Sequence, residues 1–218
     1  MPRIRRTLAA VLGATILALT VSSGVAAAAG ADDPMFACRG HGDECRQAGE
    51  PVGLAWPEPN GTMTTTEFIA AAVPGAQLSR REHRVPVSVT LAQAILESGW
   101  GKSALSTVDR NYFGMKCNGV GSYAVGCSEH ATSECTAAGA CFGTTGSFRT
   151  YARAADSFRD HGATLASAPR YATALLYQNE PDRFVAEMHK AGYATDPLYT
   201  VKLTAIMAKY SLYQYDLA

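Results

Sequence analysis

The stretch between Cys117 and Phe148 constrains the fold most, because its composition differs sharply from that of the flanking sequence. It holds six glycines and four of the six cysteines of the chain, and it contains no Lys, Arg or Asp. Short β-prone pieces, such as residues 122–125, alternate there with turn-forming residues. The sequences on either side carry helical apolar patterns. We therefore predict an α+β, mainly α, fold with a small β-lobe at about residues 115–150, inserted between helices.

Glu97 stands in the last turn of an apolar helix that is predicted to stop at Gly99, a residue suited to the left-handed position past a helix end. Trp100 follows, so we expect its indole to lie near the carboxylate. Desolvation would then raise the pKa of Glu97, which is how general acids of glycoside hydrolases are built. The alternative is a surface glutamate, for which the helix dipole is slightly unfavourable. Thr90 and Gln93 share a face with Glu97, and this polar stripe is either solvent-exposed or the floor of a cleft.

Other helices are predicted from apolar periodicity and capping residues. A capping box at Thr64 and Glu67 begins a helix that runs to about Arg84 and is bent or interrupted at Pro74. Further helices are expected at residues 154–166, 170–178 and 181–190. Asp196 is expected to cap a last helix that runs to about residue 209, with a core face formed by Val201, Leu203, Ile206, Met207 and Tyr210.

Residues 1–29 have the pattern of a cleaved export signal, with three arginines, an apolar run and small residues at 25–29. The apolar run is too short for a membrane span, so no stable membrane insertion is expected. Three of the 19 basic residues lie in this segment, which leaves 16 against 19 acidic residues and a net charge near −3. This balance argues against nucleic acid as a partner. Residues 30–61, rich in Gly, Pro and acidic residues, are predicted to form an N-terminal extension.

The six cysteines remain after removal of the signal, and an even number in an exported chain predicts disulfide bonds. A zinc site is the alternative, but the chain has no Cys-x-x-Cys pair. We expect no metal and no cofactor. Of the fifteen possible connectivities, the sequential one is the simplest because each pair closes a short loop: Cys38–Cys45, Cys117–Cys127 and Cys135–Cys141.

An ordered series of motifs resembles a known family. Residues 92–103, Ala-Gln-Ala-Ile-Leu-Glu-Ser-Gly-Trp-Gly-Lys-Ser, resemble the catalytic helix of bacterial glucosaminidases of glycoside hydrolase family 73, the flagellar-rod and autolysin type of peptidoglycan hydrolase. Residues 111–116 resemble the family's Asn-aromatic-Phe-Gly-apolar-Lys loop, and residues 131–134 resemble its β-lobe Thr-Thr-Glu segment. The resemblance continues through residues 148–151, 157–161, 169–171 and 191–197, and covers about residues 64–216.

The resemblance implies a lysozyme-like fold, in which a helical core and a β-lobe form a substrate cleft. It assigns Glu97 as the general acid, Glu134 as the second carboxylate, and Tyr193 to a place close to the reacting sugar. Glu129 is the alternative second carboxylate. A retaining, an inverting and a substrate-assisted mechanism all stay open, because the sequence does not set the distance between the carboxylates. Substrate-binding residues are expected at the motif positions Trp100, Asn111, Tyr112, Phe113, Lys116, Tyr151 and Tyr171.

The resulting hypothesis is a monomeric, secreted, cell-wall-associated endo-β-N-acetylglucosaminidase with its catalytic domain at residues 62–218. It would bind peptidoglycan glycan strands and cleave the β-1,4 bond between N-acetylglucosamine and N-acetylmuramic acid. A muramidase or lytic transglycosylase of the same fold is one alternative, since these enzymes also use a catalytic glutamate but cut the other bond. A non-catalytic cell-wall-binding module is the second alternative.

Overall fold

The computed structural model describes residues 58–118, 123–135 and 141–217. They form seven α-helices, which are α1 (Thr65–His83), α2 (Val87–Ser98), α3 (Ala104–Asp109), α4 (Ala154–Ser167), α5 (Ala172–Leu175), α6 (Pro181–Lys190) and α7 (Tyr199–Lys209). The strands are β1 (Gly126–Cys135) and β2 (Cys141–Thr150), and two 3₁₀ helices span Pro169–Tyr171 and Leu212–Leu217. The predicted α+β, mainly α, class is confirmed. The predicted signal segment and the Cys38–Cys45 bridge lie outside the described residues. Within these residues, none of the helices has the length and apolarity needed to cross a membrane.

Helix α1 begins where its sequence predicts. The hydroxyl of Thr64 accepts a hydrogen bond from the backbone N–H of Glu67, and the Glu67 carboxylate accepts one from the backbone N–H of Thr64. This capping box satisfies two donors that the first helical turn leaves unpaired. Arg84 ends the helix in a left-handed conformation, with φ of 64°. Pro74 lies within α1 and the helix continues through it to His83, one residue short of the predicted end.

Helices α1 and α4 approach each other closely because glycines lie between them. A Cβ atom at Gly75 would lie 2.9 Å from the Cγ atom of Phe158, and a Cβ atom at Gly162 would overlap the Oγ atom of Ser79. A larger residue at either position would therefore push the two helices apart.

Helix α2 is the centre of the fold. Ten of its 12 residues are buried, because α1, α6, α7 and the C-terminal 3₁₀ helix pack around it. Its end at Gly99 is as predicted, with φ of 58°. The polar stripe is neither solvent-exposed nor a cleft floor along its whole length, since Thr90 and Gln93 are completely buried. Glu97 is the member of the stripe that reaches solvent.

Strands β1 and β2 form an antiparallel hairpin, which confirms the position of the predicted β-lobe. Its register pairs Gly126 with Thr150 and Cys135 with Cys141. Residues 123–125, the described part of the β-prone piece, lie just before the hairpin. Val125 donates one backbone hydrogen bond to Thr150, and continuous pairing begins one residue later.

A disulfide bond joins Cys117, in the loop that follows the α3 region, to Cys127 in β1. This confirms one of the predicted pairings. Cys135 and Cys141 face each other in the hairpin register, but their side chains lie outside the described part of the structure. Their pairing stays a prediction.

Helix α7 begins later than the sequence predicts. The Asp196 carboxylate accepts the N–H of Leu198, and the Asp196 carbonyl accepts the N–H of Tyr199. Asp196 therefore forms a turn before the helix and does not cap it. Val201 was expected in the core but is exposed, because the buried residues of α7 follow another line at four-residue steps: Tyr199, Leu203 and Met207.

The last residues of the predicted N-terminal extension pack against the helical domain. The Glu58 carboxylate contacts Nε of Arg110 at 2.8 Å and accepts the backbone N–H of Ala154 at 2.9 Å. The Pro59 carbonyl accepts the hydroxyl of Tyr112 at 2.8 Å. The boundary predicted at residue 62 therefore lies inside a segment whose described part contacts the helices.

Candidate active site

Glu97 lies at the C-terminal end of α2, beside the first turn of α7. Its Oε1 atom accepts a hydrogen bond of 3.0 Å from the hydroxyl of Tyr199. The residue is exposed to solvent, and nearby protein atoms desolvate the carboxylate in part. This desolvation raises the pKa of Glu97, and the hydrogen bond from Tyr199 partly opposes the shift. An accessible carboxyl group that keeps its proton to a higher pH can act as a general acid.

Tyr199 and Gln93 form a buried polar pair behind Glu97. The amide Nε2 atom of Gln93 donates to the Tyr199 hydroxyl at 3.0 Å and lies 3.7 Å from the sulfur of Met188. Burial, together with the neighbouring Tyr193 and Glu97, raises the pKa of Tyr199. The phenol therefore stays protonated and donates to Glu97. Tyr199 was not among the predicted site residues, although it starts the four-residue steps of the buried face of α7.

Tyr193 stands beside Tyr199, with their rings 5.6 Å apart and inclined by 29°. Its hydroxyl lies 3.1 Å from Nε2 of His161. Burial, with a smaller effect from the Glu97 carboxylate, raises the pKa of Tyr193 well above its ordinary value. The structure thus brings Tyr193 and Glu97 into one site. It also adds His161 of α4, which was not among the predicted site residues.

His161 is a neutral residue in this site. Its ring stacks on Phe113 at 4.0 Å with an inclination of 13°, and the side chain is buried. Burial, with a smaller contribution from His83, lowers the pKa of His161 to about 3. The imidazole is therefore uncharged over the pH range in which an enzyme works, and its contact with Tyr193 is a hydrogen bond between neutral groups.

Trp100 has aromatic neighbours in the helical region. Its indole packs edge-on against Phe68 and Tyr210, at ring distances of 5.9 and 4.8 Å. It lines an apolar groove of about 340 Å³ between α2 and α7, and Glu97 is not among the lining residues. The hydrogen bond to the Glu97 carboxylate comes from Tyr199.

Asn111 was predicted to bind substrate but is buried and holds a loop. Its amide nitrogen donates to the carbonyls of Met115 and Arg149, and its amide oxygen accepts the N–H of Met115, all at 2.9–3.0 Å. All three hydrogen bonds of the Asn111 amide are thus made with backbone groups. Lys116, at the end of this loop, places its ammonium group 4.3 Å from the ring centre of Phe148.

The aromatic residues predicted to stack on sugar lie in the core, each with at most 5% of its surface exposed: Tyr112, Phe113, Tyr151 and Tyr171. The Tyr112 and Tyr151 hydroxyls are bonded to the Pro59 carbonyl and the Asp160 carboxylate. These buried rings therefore stabilise the core and do not line the cleft. Tyr171 is a neighbour of the site, since its ring centre lies 6.1 Å from that of Tyr193.

The hairpin carries the two candidates for a second carboxylate. Glu129 is exposed and pairs in register with Ser147, and position 134 is opposite Phe142. The side chain of Glu134 lies outside the described part of the structure. Two side-chain contacts attach the hairpin to the helices, one between His130 and Asp109 and the other between Arg149 and Asp160.

Comparison with known proteins decides the family. The profile of the glucosaminidase family, described as mannosyl-glycoprotein endo-β-N-acetylglucosaminidase, matches residues 73–212. The chain belongs to this glucosaminidase family. The match begins within α1 and extends into the C-terminal 3₁₀ helix, so it includes Glu97, Tyr193 and Tyr199. It confirms the predicted membership among the glycoside hydrolases.

Curated relatives belong to the same group of wall hydrolases. Peptidoglycan hydrolase FlgJ of Pseudomonas aeruginosa is 37% identical over 152 residues, which are 68% of this chain and 37% of that protein. Exo-glucosaminidase LytG of Bacillus subtilis is 35% identical over 156 residues, 68% of this chain and 52% of that protein. The chain therefore spans about half or less of the length of these relatives.

Solved structures support the lysozyme-like glucosaminidase fold. The catalytic domain of the autolysin Auto from Listeria monocytogenes superposes with a TM-score of 0.62 at 27% identity, covering 71% of this chain and 90% of that one. A truncated glycoside hydrolase domain of FlgJ from Salmonella typhimurium gives 0.54 at 31% identity, covering 66% and 96%. Glucosaminidase catalytic domains of this size thus account for most of the described part of the chain.

Proposed function

We propose that the chain is a peptidoglycan N-acetylglucosaminidase in which Glu97 is the general acid. The observation that carries the proposal is the accessible, desolvated carboxyl group of Glu97 at the end of the central helix, held by Tyr199. Membership of the glucosaminidase family supports this role over that of a muramidase or a non-catalytic wall-binding module. The names of the relatives, peptidoglycan hydrolase and exo-glucosaminidase, support peptidoglycan as the substrate.

In the proposed reaction, the proton of Glu97 moves to the glycosidic oxygen as the bond from this oxygen to the anomeric carbon breaks. The leaving sugar departs as an alcohol, and Glu97 becomes a carboxylate. The Tyr199 hydroxyl already donates to this carboxylate, so the charge that develops on Glu97 meets a donor that is in place beforehand. Water then adds to the anomeric carbon and gives one proton to a carboxylate, either the second carboxylate or Glu97 itself. Glu97 is protonated again before the next turnover, which completes hydrolysis.

Glu134 is proposed as the second carboxylate, the group that stabilises the positively charged sugar or activates the water. Positions 130 and 134 share one face of β1 by the two-residue repeat of a strand, whereas position 129 belongs to the other face. The side chain of His130 contacts Asp109 of α3, so this face of β1 is the one that faces the helices at position 130. Substrate assistance by the N-acetyl group of the sugar, beside Tyr193, is the alternative to a second carboxylate.

Two finer properties are part of the proposal. Cleavage inside the glycan strand is the expected mode, and the name of the LytG relative supports exo cleavage as the alternative. The protein is proposed to act outside the cytoplasm on the cell wall, because peptidoglycan is located there and because residues 1–29 have the pattern of an export signal. A relative from Enterococcus faecalis is named an autolysin, which supports action on the cell wall.

The test of the general acid is Glu97→Gln, which keeps the shape of the side chain but has no transferable proton. Lysis of purified peptidoglycan should fall by about 10²–10⁴-fold or more, with an unchanged circular dichroism spectrum. Glu180→Gln removes an exposed carboxylate next to α6 and is the control, with activity like that of the parent. Activity of Glu97→Gln within a few-fold of the parent would show that Glu97 is not the acid.

Product analysis tests the bond that is cut. After borohydride reduction, mass spectrometry should find reduced N-acetylglucosamine at the ends of the released fragments. Reduced N-acetylmuramic acid or an anhydro end would instead identify a muramidase or a lytic transglycosylase. A rapid fall in strand length indicates endo cleavage, and steady release of disaccharides from strand ends indicates exo cleavage.

A further inference from the structure

We infer that Gln93 and Tyr199 form a directional hydrogen-bond chain that determines which oxygen of Glu97 carries the transferable proton. Tyr199 is in this view a positioning residue, which acts on the reaction through Glu97. The inference rests on the proposed role of Glu97 as general acid. It concerns Tyr199, which the sequence patterns did not place in the site, and Gln93, which they placed only on the polar stripe of α2.

The amide of Gln93 determines the direction of the hydrogen-bond chain. Its Nε2 atom faces both the Tyr199 hydroxyl, at 3.0 Å, and the sulfur of Met188, at 3.7 Å. A thioether sulfur accepts hydrogen bonds but cannot donate them. The amide end that faces the sulfur is therefore the NH₂ group, and Gln93 donates to the hydroxyl oxygen of Tyr199.

The next step is the proton of Tyr199. Its side chain is almost fully buried, with 3% exposed, so its O–H group needs a protein acceptor. Gln93 presents a donor to it, and Oε1 of Glu97 lies 3.0 Å away. The Tyr199 proton consequently points at Oε1. The alternative direction, from a protonated Oε1 to Tyr199, would leave the phenolic proton facing the NH₂ group of Gln93.

The consequence lies at Glu97. Because Oε1 is occupied by the proton of Tyr199, the acidic proton of Glu97 is held on Oε2, and one oxygen is thereby reserved for proton transfer. After transfer, the carboxylate keeps its donor at Oε1. Both effects assist proton donation without any movement of the side chain, which is the advantage of a site organised in advance.

The experiment compares Tyr199→Phe and Gln93→Met with the parent in the full chain. Tyr199→Phe removes the donor to the Glu97 carboxylate. The pKa of Glu97 should rise by about one unit, because a hydrogen bond to a charged group has this magnitude. The high-pH limb of the kcat profile should move upward by the same amount, with kcat about tenfold lower at the optimum and KM unchanged. Gln93→Met leaves the hydroxyl in place and should give a smaller shift of the same sign.

Tyr213→Phe is the matched control, because it also removes a hydroxyl that donates to a carboxylate, that of Asp182 at 2.7 Å, on an exposed part of the molecule. It should leave the profile unchanged. A titration of ¹³C-labelled glutamate carboxyl groups by NMR measures the pKa of Glu97 without using activity, with Glu97→Gln identifying its signal.

The direction of the shift decides the inference. A fall in the pKa of Glu97 in Tyr199→Phe would mean that Glu97 donates to Tyr199, and an unchanged pKa in folded Tyr199→Phe and Gln93→Met would mean that the chain has no effect; either result overturns it. If Tyr199→Phe fails to fold, Gln93→Met carries the same two outcomes. An active Glu97→Gln would contradict the proposed general acid, while the NMR titration would still test the hydrogen-bond direction.

Discussion

The helices around Glu97 and the β-hairpin are held in place in different ways. The carboxylate of Glu97 is supported by Tyr199, Gln93 and Met188, which belong to three helices and are at most 3% exposed. In the hairpin, Phe148 is the buried apolar side chain among those that the structure describes in the two strands. The hairpin is attached by the disulfide, by side-chain contacts to α3 and α4, and by hydrogen bonds to residues 111–117. Glu97 is thus fixed by packing, and the hairpin by specific bonds.

This difference matters because catalysis by two carboxylates depends on the distance between them. One of the proposed carboxylates lies in the packed region, and the other lies in the hairpin, beyond its attachment. We therefore expect substitutions near Glu97 to change proton transfer without changing the fold, and substitutions at the base of the hairpin to change the relative placement of the two carboxylates. The following predictions test this comparison.

Glu134→Gln should produce the largest effect, a loss of about 10²–10⁴-fold in kcat, the usual contribution of acid–base catalysis. Binding to insoluble peptidoglycan, measured by pull-down, should change little, because a group that acts on the transition state affects kcat more than ground-state affinity. Glu129→Gln, in the same strand, is the matched control and should have the activity of the parent. A normal rate for Glu134→Gln, or a large loss for Glu129→Gln, would contradict the assignment.

Phe158→Ala should reduce the free energy of unfolding by about 3–5 kcal/mol, since it leaves a cavity in the core. Phe158 is 1% exposed and packs on Tyr112 and Phe113. Phe148→Ala in the hairpin should have a smaller effect, because fewer elements surround it. Urea unfolding of both variants provides the measurement. Equal losses would mean that the hairpin is as tightly integrated as the helices.

Replacement of both Cys117 and Cys127 by Ser should lower the free energy of unfolding by about 2–3 kcal/mol, the range for a short closed loop in the chain-entropy model. The two cysteines are ten residues apart in the sequence. Activity should fall together with stability, because the bond holds the base of the hairpin. A variant with the stability of the parent under non-reducing conditions would show that the side-chain contacts to α3 and α4 are sufficient.

His161 should make the stability of the helical region depend on pH. The folded protein keeps His161 neutral down to a pKa of about 3, whereas the unfolded chain takes up a proton at its ordinary pKa near 6.5. The unfolded state thus binds more protons between these values, so stability is complete above pH 6.5 and falls as the pH is lowered, by at most about 1.4 kcal/mol per unit. His161→Phe should flatten this slope in thermal unfolding. An unchanged slope would mean that other groups dominate it.

The parts of the fold that the sequence predicted correctly depend on neighbours along the chain. The capping box at Thr64, the end of α2 at Gly99 and the position of the hairpin each follow from residue types within a few positions of one another. The same holds for Glu97, whose place in the last turn of an apolar helix was recognisable from its own segment and from the family resemblance. Such features reflect backbone conformation and short-range hydrogen bonds.

The remaining features depend on residues far apart in the sequence. The aromatic residues of the family motifs were predicted to contact sugar, but packing places Tyr112, Phe113 and Tyr151 in the core, and no local pattern separates a buried aromatic ring from one that lines a cleft. Tyr199 lies 102 residues after Glu97 and 106 after Gln93. The sequence by itself thus determined most of the helices, the place of the β-lobe and the glutamate that is proposed as the acid. The partners of that glutamate were decided by the tertiary structure, because a hydrogen bond between distant segments exists only after the helices that carry them have packed together.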